Sequence, residues 1–407
     1  MILDFKTLAK EYGTPLYVYD FEYMRAQYCA LKEVFGGEKS LISYAVKSNS
    51  NLSVIQNFAK EGSGADCVSI GEVKRALLAG VKPYKIIFSG VGKSDVEIKE
   101  ALELNILMIN VESEAELKRV ESVAKTLGVE ARISIRVNPN VDPKTHPYIS
   151  TGLHENKFGV EIDIAKRMYI YAKNSSHLDP VGIHFHIGSQ LTNLEPLSEA
   201  ASIIADLVRS LKAIGVEIKF FDIGGGIGVK YYGDEELIDL EAYALEIKKA
   251  IKGLDLTIVC EPGRFLTANG GYLLTKVLYE KQNGQKRFTI VDAAMNDLLR
   301  PSLYNAYHGV ELLEEKESEI STTDIVGPIC ESGDFLAKDI ELPPLSSGDL
   351  LLIKSAGAYG FTMASNYNTR GRACEVACDD EQGCRVIRRR EMFEDLIDAE
   401  KLYLQGE

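Results

Sequence analysis

A lysine at position 47 closes the otherwise apolar run LISYAVK. Most lysines at a strand end are simply solvated, but an amine whose surroundings depress its pKa becomes a Schiff-base nucleophile. Glu261 follows a second apolar run, LTIVC, where a charge needs a partner to be buried. Arg264 would be its ordinary structural partner. The functional partner would be a pyridinium nitrogen, because a carboxylate there keeps the ring protonated and makes it a strong electron sink. DIGGGIG, residues 222–228, offers Gly224, Gly225 and Gly226 in succession, so backbone N–H groups can approach an anion with no Cβ in the way. A tight strand-to-helix turn would use the same glycines. The run is not a P-loop, since no Gly-Lys-Ser/Thr follows, and it does not fit a full dinucleotide fingerprint. His184 and His186 alternate in HFHIGS and so point to one side of a strand. An HxH pair is also a metal-ligand pattern, but the chain has six His and no other strand end supplies one. His186 laid flat against a cofactor ring fits better, with His184 as packing or hydrogen-bonded support, and no metal is expected.

These residues need a frame that gathers them. Short apolar runs recur at 41–47, 65–69, 85–90, 106–112, 132–138, 181–189, 220–226 and 256–264, with helix-periodic segments such as SEAELKRVESVAKTLG between them. A glycine closes several of those segments, as a helix C-cap does. Eight strands alternating with helices predict a (β/α)8 TIM barrel over residues 23–270, with a doubly wound open sheet as the competing architecture. In such a barrel functional groups sit on the C-terminal strand ends. Those ends carry Lys47, Asp66, Arg136, His186 with Ser189, the three glycines, and Glu261 with Pro262, Gly263 and Arg264. Closure makes the first and eighth strands neighbours, so Lys47 and Glu261 face one cavity. Phosphate sites recur after the seventh and eighth strands, which favours an anion at the glycine run. After Gly271 the pattern turns to strands and turns, so residues 271–407 read as a second, mostly β domain. The early run TPLYVYD, within residues 1–22, is expected to join that domain's sheet. The fold class is α/β.

The bulk properties exclude several functions. A chain of 407 residues with 45% hydrophobic and 26% charged residues is an ordinary globular protein of one large and one smaller domain. Its formal net charge of -14 argues against binding nucleic acid. The first twenty residues hold no apolar core for a signal peptide or membrane span, so no membrane role and a cytoplasmic location are expected. Seven scattered cysteines do not form a disulfide framework. Cys374, Cys378 and Cys384 lie across a hairpin turning at DDEQG, where they are expected as buried or incidental thiols rather than zinc ligands.

Taken in order, YAVKSN, SGADCVS, HFHIGSQ, DIGGGIG and CEPGR resemble the barrel-type, fold-type III pyridoxal-phosphate decarboxylases and, more distantly, alanine racemase. HPYISTGLHENKFG, VDAAMNDLLRPSLY, GPICESGDFLAKD and GAYGFTMASNYN resemble the diaminopimelate decarboxylase branch, and the resemblance covers essentially the whole chain. It implies pyridoxal 5′-phosphate held covalently by Lys47, with His186 stacked on its ring and Glu261 on its ring nitrogen. Ser189, Gly225, Gly226, Gly263, Arg264 and Tyr359 would surround the phosphate. Arg264, Arg300, Tyr304 and Tyr359 would contact the substrate, Cys330 would protonate the carbanion, and Glu331 would select the distal amino group. The Cys330 segment of such enzymes enters the partner's active site, which implies a homodimer. The implied reaction converts meso-2,6-diaminopimelate to L-lysine and CO2, the last step of lysine biosynthesis. Phe265, Ala294, Thr362 and Gly371 depart from residues common in the family, but none of them is a ligand named above.

Ornithine, arginine and carboxynorspermidine decarboxylases share the scaffold. A basic substrate tail calls for acidic partners, whereas a tail with its own carboxylate calls for arginine. Arg300 and Tyr304 in LRPSLY suit the second, as does Glu331 where ornithine enzymes usually carry Asp. A catalytically dead regulator would lose cofactor-site residues, but Lys47, His186, Glu261 and Cys330 are all present.

Overall fold

The structure is a computed structural model and describes residues 3–36, 39–142, 156–233 and 235–404. The chain divides into two compact units, one of Met1–Met24, Lys230–Glu235 and Thr267–Glu407, the other of Arg25–Val229 and Glu236–Leu266. The first strand, β1 (Leu16–Asp20), lies in the former unit.

The second unit is a closed barrel of eight parallel strands: β2 (Ser40–Ala45), β3 (Gly64–Cys67), β4 (Ile86–Phe88), β5 (Met108–Val111), β6 (Ala131–Arg136), β7 (Leu178–His184), β8 (Phe220–Asp222) and β9 (Thr257–Cys260). Pairing of Ser40, Leu41 and Ile42 with Ile258, Val259 and Cys260 closes it. Its strands are nearly continuous apolar runs because both faces are covered. Inside, Ile87, Leu107, Met108, Val181 and Val259 form one packed cluster, which makes the interior a core and not a pore. The helices between strands start where short polar side chains cap them. Ser69, Ser94 and Ser113 each accept from the backbone N–H three residues on. Gly128 ends the helix Glu114–Leu127 in the left-handed region, as its position in the sequence leads one to expect. Every barrel strand ends earlier than the sequence reading has it. β7 stops at His184 instead of residue 189, and β8 at Asp222 instead of 226. The reactive residues therefore lie mostly in the loops after the strands.

The first unit is mostly β. Its other strands are β10 (Gly271–Asn283), β11 (Lys286–Val291), β12 (Val310–Leu312), β13 (Ser321–Val326), β14 (Phe335–Leu342), β15 (Leu350–Ile353), β16 (Cys374–Asp379) and β17 (Gly383–Arg388). Together with β1 they make a nine-stranded sheet whose main path runs β14-β13-β11-β10-β1-β16-β17, with β15 joining β10 to β12. β1 pairs antiparallel with β10 and parallel with β16. Leu16 and Val18 of β1 pack with Leu274, Leu352, Cys374 and Val376 in the sheet's core. At the start of β10, a Cβ on Gly271 would lie 2.2 Å from the Gly357 Cα, so the two backbones meet only because neither residue has a side chain. A helix, Phe393–Lys401, follows β17. Two of the three hairpin cysteines are not incidental thiols. Cys378 and Cys384 face each other across the β16–β17 hairpin and are joined as a disulfide, because the tight turn between the strands brings them to directly opposed positions. Cys374 is a free, buried thiol.

Candidate active site

At the C-terminal ends of the barrel strands the reactive side chains converge in pairs. Lys47 sits in a short turn, Val46–Ser48, just beyond β2, and its Nζ is 2.8 Å from Asp66 Oδ2. The Asp66 side chain is wholly buried, and its other oxygen accepts from Ser89 Oγ at 2.8 Å. Ser89 in turn accepts from Asn110 Nδ2 at 3.0 Å, so three neighbouring strands brace the lysine's counter-charge. The lysine itself is 39% exposed, which leaves its amine accessible to a small molecule.

Glu261, directly after β9, is 6% exposed, and its Oε2 lies 3.2 Å from His184 Nε2 at the end of β7. Burial pushes the Glu261 carboxyl up, but His184, Lys47 and Asp222 beside it outweigh that and hold it below the usual range. Asp222, the last residue of β8, is wholly buried, and burial together with the Glu261 charge raises its carboxyl well above 3.8. His184, Asp222 and Glu261 offer polar atoms within 4.8 Å of one another, the only such group among the described residues. His186 is not part of it. Its Nδ1 accepts from the Gly225 N–H at 3.3 Å, so the HxH pair does not converge on one centre. Burial and the positive charges of Arg136 and Lys47 hold His186 well below 6.5, which keeps its imidazole neutral and suited to lie against an aromatic ring.

The glycine run has a packing reason as well as a chemical one. A Cβ on Gly225 would lie 2.1 Å from the Glu261 carbonyl oxygen, and one on Gly226 would lie 2.4 Å from that of Gly188, with φ at 102°. The loop after β8 is thus pressed onto the ends of its neighbours. Ser189 Oγ accepts from Arg264 Nη2 at 3.0 Å, and Arg264 is 7% exposed. Gly263, just before it, packs against Ala45 and Ser48 beside the Lys47 turn. Arg136 pairs with Glu112 at 3.2 Å and stacks over Phe158 at 4.6 Å. An accessible amine, a buried ionised carboxylate, a neutral imidazole, and a serine and arginine beside a glycine turn fit the groups of pyridoxal phosphate one by one.

The β unit places the remaining candidates. Arg300, 6% exposed, opens the helix Arg300–Tyr304, whose Tyr304 is half-buried. Its Nη1 lies 2.9 Å from His308 Nε2, and its guanidinium lies 4.9 Å from the Tyr231 ring centre. His308 Nδ1 lies 2.9 Å from the Lys354 carbonyl, which can only accept, so Nδ1 carries the proton and Nε2 accepts from the arginine. Ser302 donates to the Gly333 carbonyl at 2.5 Å and ties this helix to the turn carrying Cys330 and Glu331. Both of those residues are exposed. The Cys330 N–H donates to Asn368 Oδ1 at 2.8 Å, and Tyr367 OH to Glu331 Oε2 at 3.0 Å. Tyr359 has φ at 57°, a strained left-handed backbone for a bulky residue. Sequence reasoning did not single out Asp222, His308, Tyr231, Tyr367 or Asn368. Asp222 heads the DIGGGIG run, and Tyr367 and Asn368 end GAYGFTMASNYN, where no spacing marks any of the three. Residues 146–155 of HPYISTGLHENKFG lie outside the described residues. No helix among the described residues is long and apolar enough to cross a membrane.

Residues 22–268 match the family described as pyridoxal-dependent decarboxylase, pyridoxal binding domain. The diaminopimelate decarboxylase of Campylobacter jejuni is 60% identical over 404 residues, covering 99% of this chain and 100% of that one. The crystal structure of the Helicobacter pylori diaminopimelate decarboxylase complexed with L-lysine is similar at a TM-score of 0.95 and 55% identity, covering 98% of this chain and 100% of that one. The M. jannaschii diaminopimelate decarboxylase, also in complex with L-lysine, is similar at a TM-score of 0.92 and 40% identity, covering 97% of this chain and 93% of that one.

Proposed function

The chain belongs to the pyridoxal-dependent decarboxylases and within them to the diaminopimelate decarboxylases, and from that membership we infer that it removes CO2 from meso-2,6-diaminopimelate to give L-lysine. It is a carboxy-lyase of lysine biosynthesis. The observation that carries the chemistry is the buried Glu261 carboxylate, held ionised at the same barrel end as Lys47. Pyridoxal 5′-phosphate, when bound, supplies the electron sink for the pair left on Cα as CO2 departs.

In this proposal the tasks divide among the residues, with Arg264 and Tyr359 serving both phosphate and substrate. Lys47 holds the cofactor covalently, and Asp66 orients its amine. Glu261 keeps a proton on the ring nitrogen, and neutral His186 covers the ring without competing for that proton. Ser189, Gly225, Gly226, Gly263, Arg264 and Tyr359 bind the phosphate. Arg264, Arg300, Tyr304 and Tyr359 bind the substrate, and Glu331 takes its distal ammonium. The distal carboxylate distinguishes diaminopimelate from ornithine and lysine. Arg300 suits it because its guanidinium, held beside Tyr231 and His308, can meet a carboxylate with two parallel N–H groups. Cys330 delivers a proton to the carbon that CO2 has left. We assign it to the neighbouring subunit's site, which makes the active form a homodimer, and place the enzyme in the cytoplasm.

Incubating purified, cofactor-loaded protein with meso-diaminopimelate, ornithine, arginine and carboxynorspermidine, and identifying the products, tests the reading. L-lysine and CO2 from the first alone are expected. Release of putrescine from ornithine with no lysine formed would move the chain to the ornithine branch.

A further inference from the structure

Asp222 touches no group assigned to the cofactor or substrate, yet its side chain is wholly buried within 4.8 Å of the Glu261 and His184 polar atoms, where it can act only through them. Its Oδ1 accepts from the Gly224 N–H at 3.0 Å. Its Oδ2 is buried with no hydrogen-bond partner among the described residues, and the same is true of Glu261 Oε1. Two ionised carboxylates have no hydrogen to offer each other, and out of water they repel. A single proton on Asp222 Oδ2 satisfies both orphaned oxygens at once. We propose that Asp222 is a positioning residue that keeps this proton and donates it to Glu261 Oε1, so that Glu261 stays the charged partner of the ring nitrogen. The proposal rests on the reading of Glu261 given above and adds the group that decides its ionisation.

The surroundings fix which carboxyl keeps the proton. Glu261 has His184 Nε2 at 3.2 Å and the Lys47 charge nearby, whereas Asp222 faces the negative charges of Glu261 and Asp66. The titration of the pair runs the same way, with Asp222 raised by burial and by Glu261. Asp222 also joins the two ends of the cofactor site. It holds the Gly224 N–H, while the Gly224 carbonyl accepts from the Glu261 N–H at 2.7 Å. The glycine turn and the ring-nitrogen carboxylate are therefore positioned by one buried side chain.

The test uses holoenzyme carrying cofactor labelled with 15N in the ring, with infrared spectra of the same samples. Wild type is expected to show a protonated-carboxylic-acid band at neutral pH that is absent from Asp222→Asn. The ring-nitrogen resonance is expected at its protonated position in wild type. It should stay near there in Asp222→Asn, whose amide can still donate, and move toward the unprotonated position in Asp222→Ala. With Glu261 left short of one charge-assisted hydrogen bond, kcat of Asp222→Ala should fall by about 10- to 100-fold, more than that of Asp222→Asn. No carboxylic-acid band lost in Asp222→Asn, or a ring nitrogen still fully protonated in Asp222→Ala, overturns the proposal. If Asp222→Ala does not fold, the infrared comparison with Asp222→Asn decides alone. Glu261→Gln separates the two levels. If it leaves the ring-nitrogen resonance unmoved, the reading of Glu261 fails and the proposal with it. If it moves that resonance while Asp222→Ala does not, the proposal alone fails.

Discussion

Glu261 differs from the other carboxylates of the barrel in being buried, ionised and close to an imidazole, and its replacement isolates one physical effect. Glu261→Gln keeps the size and the hydrogen-bonding reach of the side chain but removes the charge that favours a protonated ring nitrogen. Cofactor content should stay near wild type while kcat falls by roughly two or more orders of magnitude, about 3 kcal/mol of barrier or more. Steady-state rates normalised to bound cofactor check this, and near-normal turnover would remove Glu261 from the mechanism. The paired arrangement at Lys47 is of a different kind. Its Asp66 partner is braced by Ser89 and Asn110, so the amine is held by a network on three strands and not by chance proximity.

Among the elements, the turn between β11 and the helix Arg300–Tyr304 carries a pH-dependent contribution to stability. Asp297 is 2% exposed, and its backbone carbonyl accepts from Tyr17 OH of β1 at 2.6 Å. Burial pushes its carboxyl up to about 7 from the ordinary 3.8, against the opposing Ala294 N–H. Between those two values the folded chain binds a proton that the unfolded chain has lost, so stability falls as pH rises through that window. The full effect is on the order of 4 kcal/mol. Asp297→Asn cannot ionise, so unfolding free energies measured from pH 4 to 8 should decline less steeply in this variant. Identical slopes would show that Asp297 is ionised in the folded chain. The elements also show where sequence reading stops. The eight barrel strands were legible because each is a short apolar run bounded by turn residues. Their ends were not, since Val46 after Ala45 and Ile223 after Asp222 continue the apolar character while leaving the sheet. The Cys378–Cys384 pairing was missed because a count of seven scattered cysteines hides one facing pair in a hairpin. His184, expected as packing or hydrogen-bonded support, lies with its Nε2 3.2 Å from Glu261 Oε2. That Asp222 shares the pair could not be read, because its closeness to Glu261 follows from the register of the paired strands β8 and β9 and not from sequence spacing.

For the whole molecule, the proposed sharing of active sites between two subunits makes a prediction that no single-chain property does. Lys47→Ala and Cys330→Ala subunits should each be inactive alone. After exchange, heterodimers would form about half the time with one intact site each, restoring roughly a quarter of wild-type activity. No recovery despite demonstrated exchange would place the whole site within one chain. Substrate choice tests the central claim most directly. Ornithine and lysine lack the distal carboxylate and would forgo its contact with the Arg300 guanidinium, a loss on the order of several kcal/mol. The measurement is kcat/KM of wild-type holoenzyme for meso-diaminopimelate and for ornithine, repeated with Arg300→Ala. The account predicts a strong preference for meso-diaminopimelate in wild type that narrows in Arg300→Ala because the true substrate suffers most. Comparable wild-type values for the two substrates would contradict it.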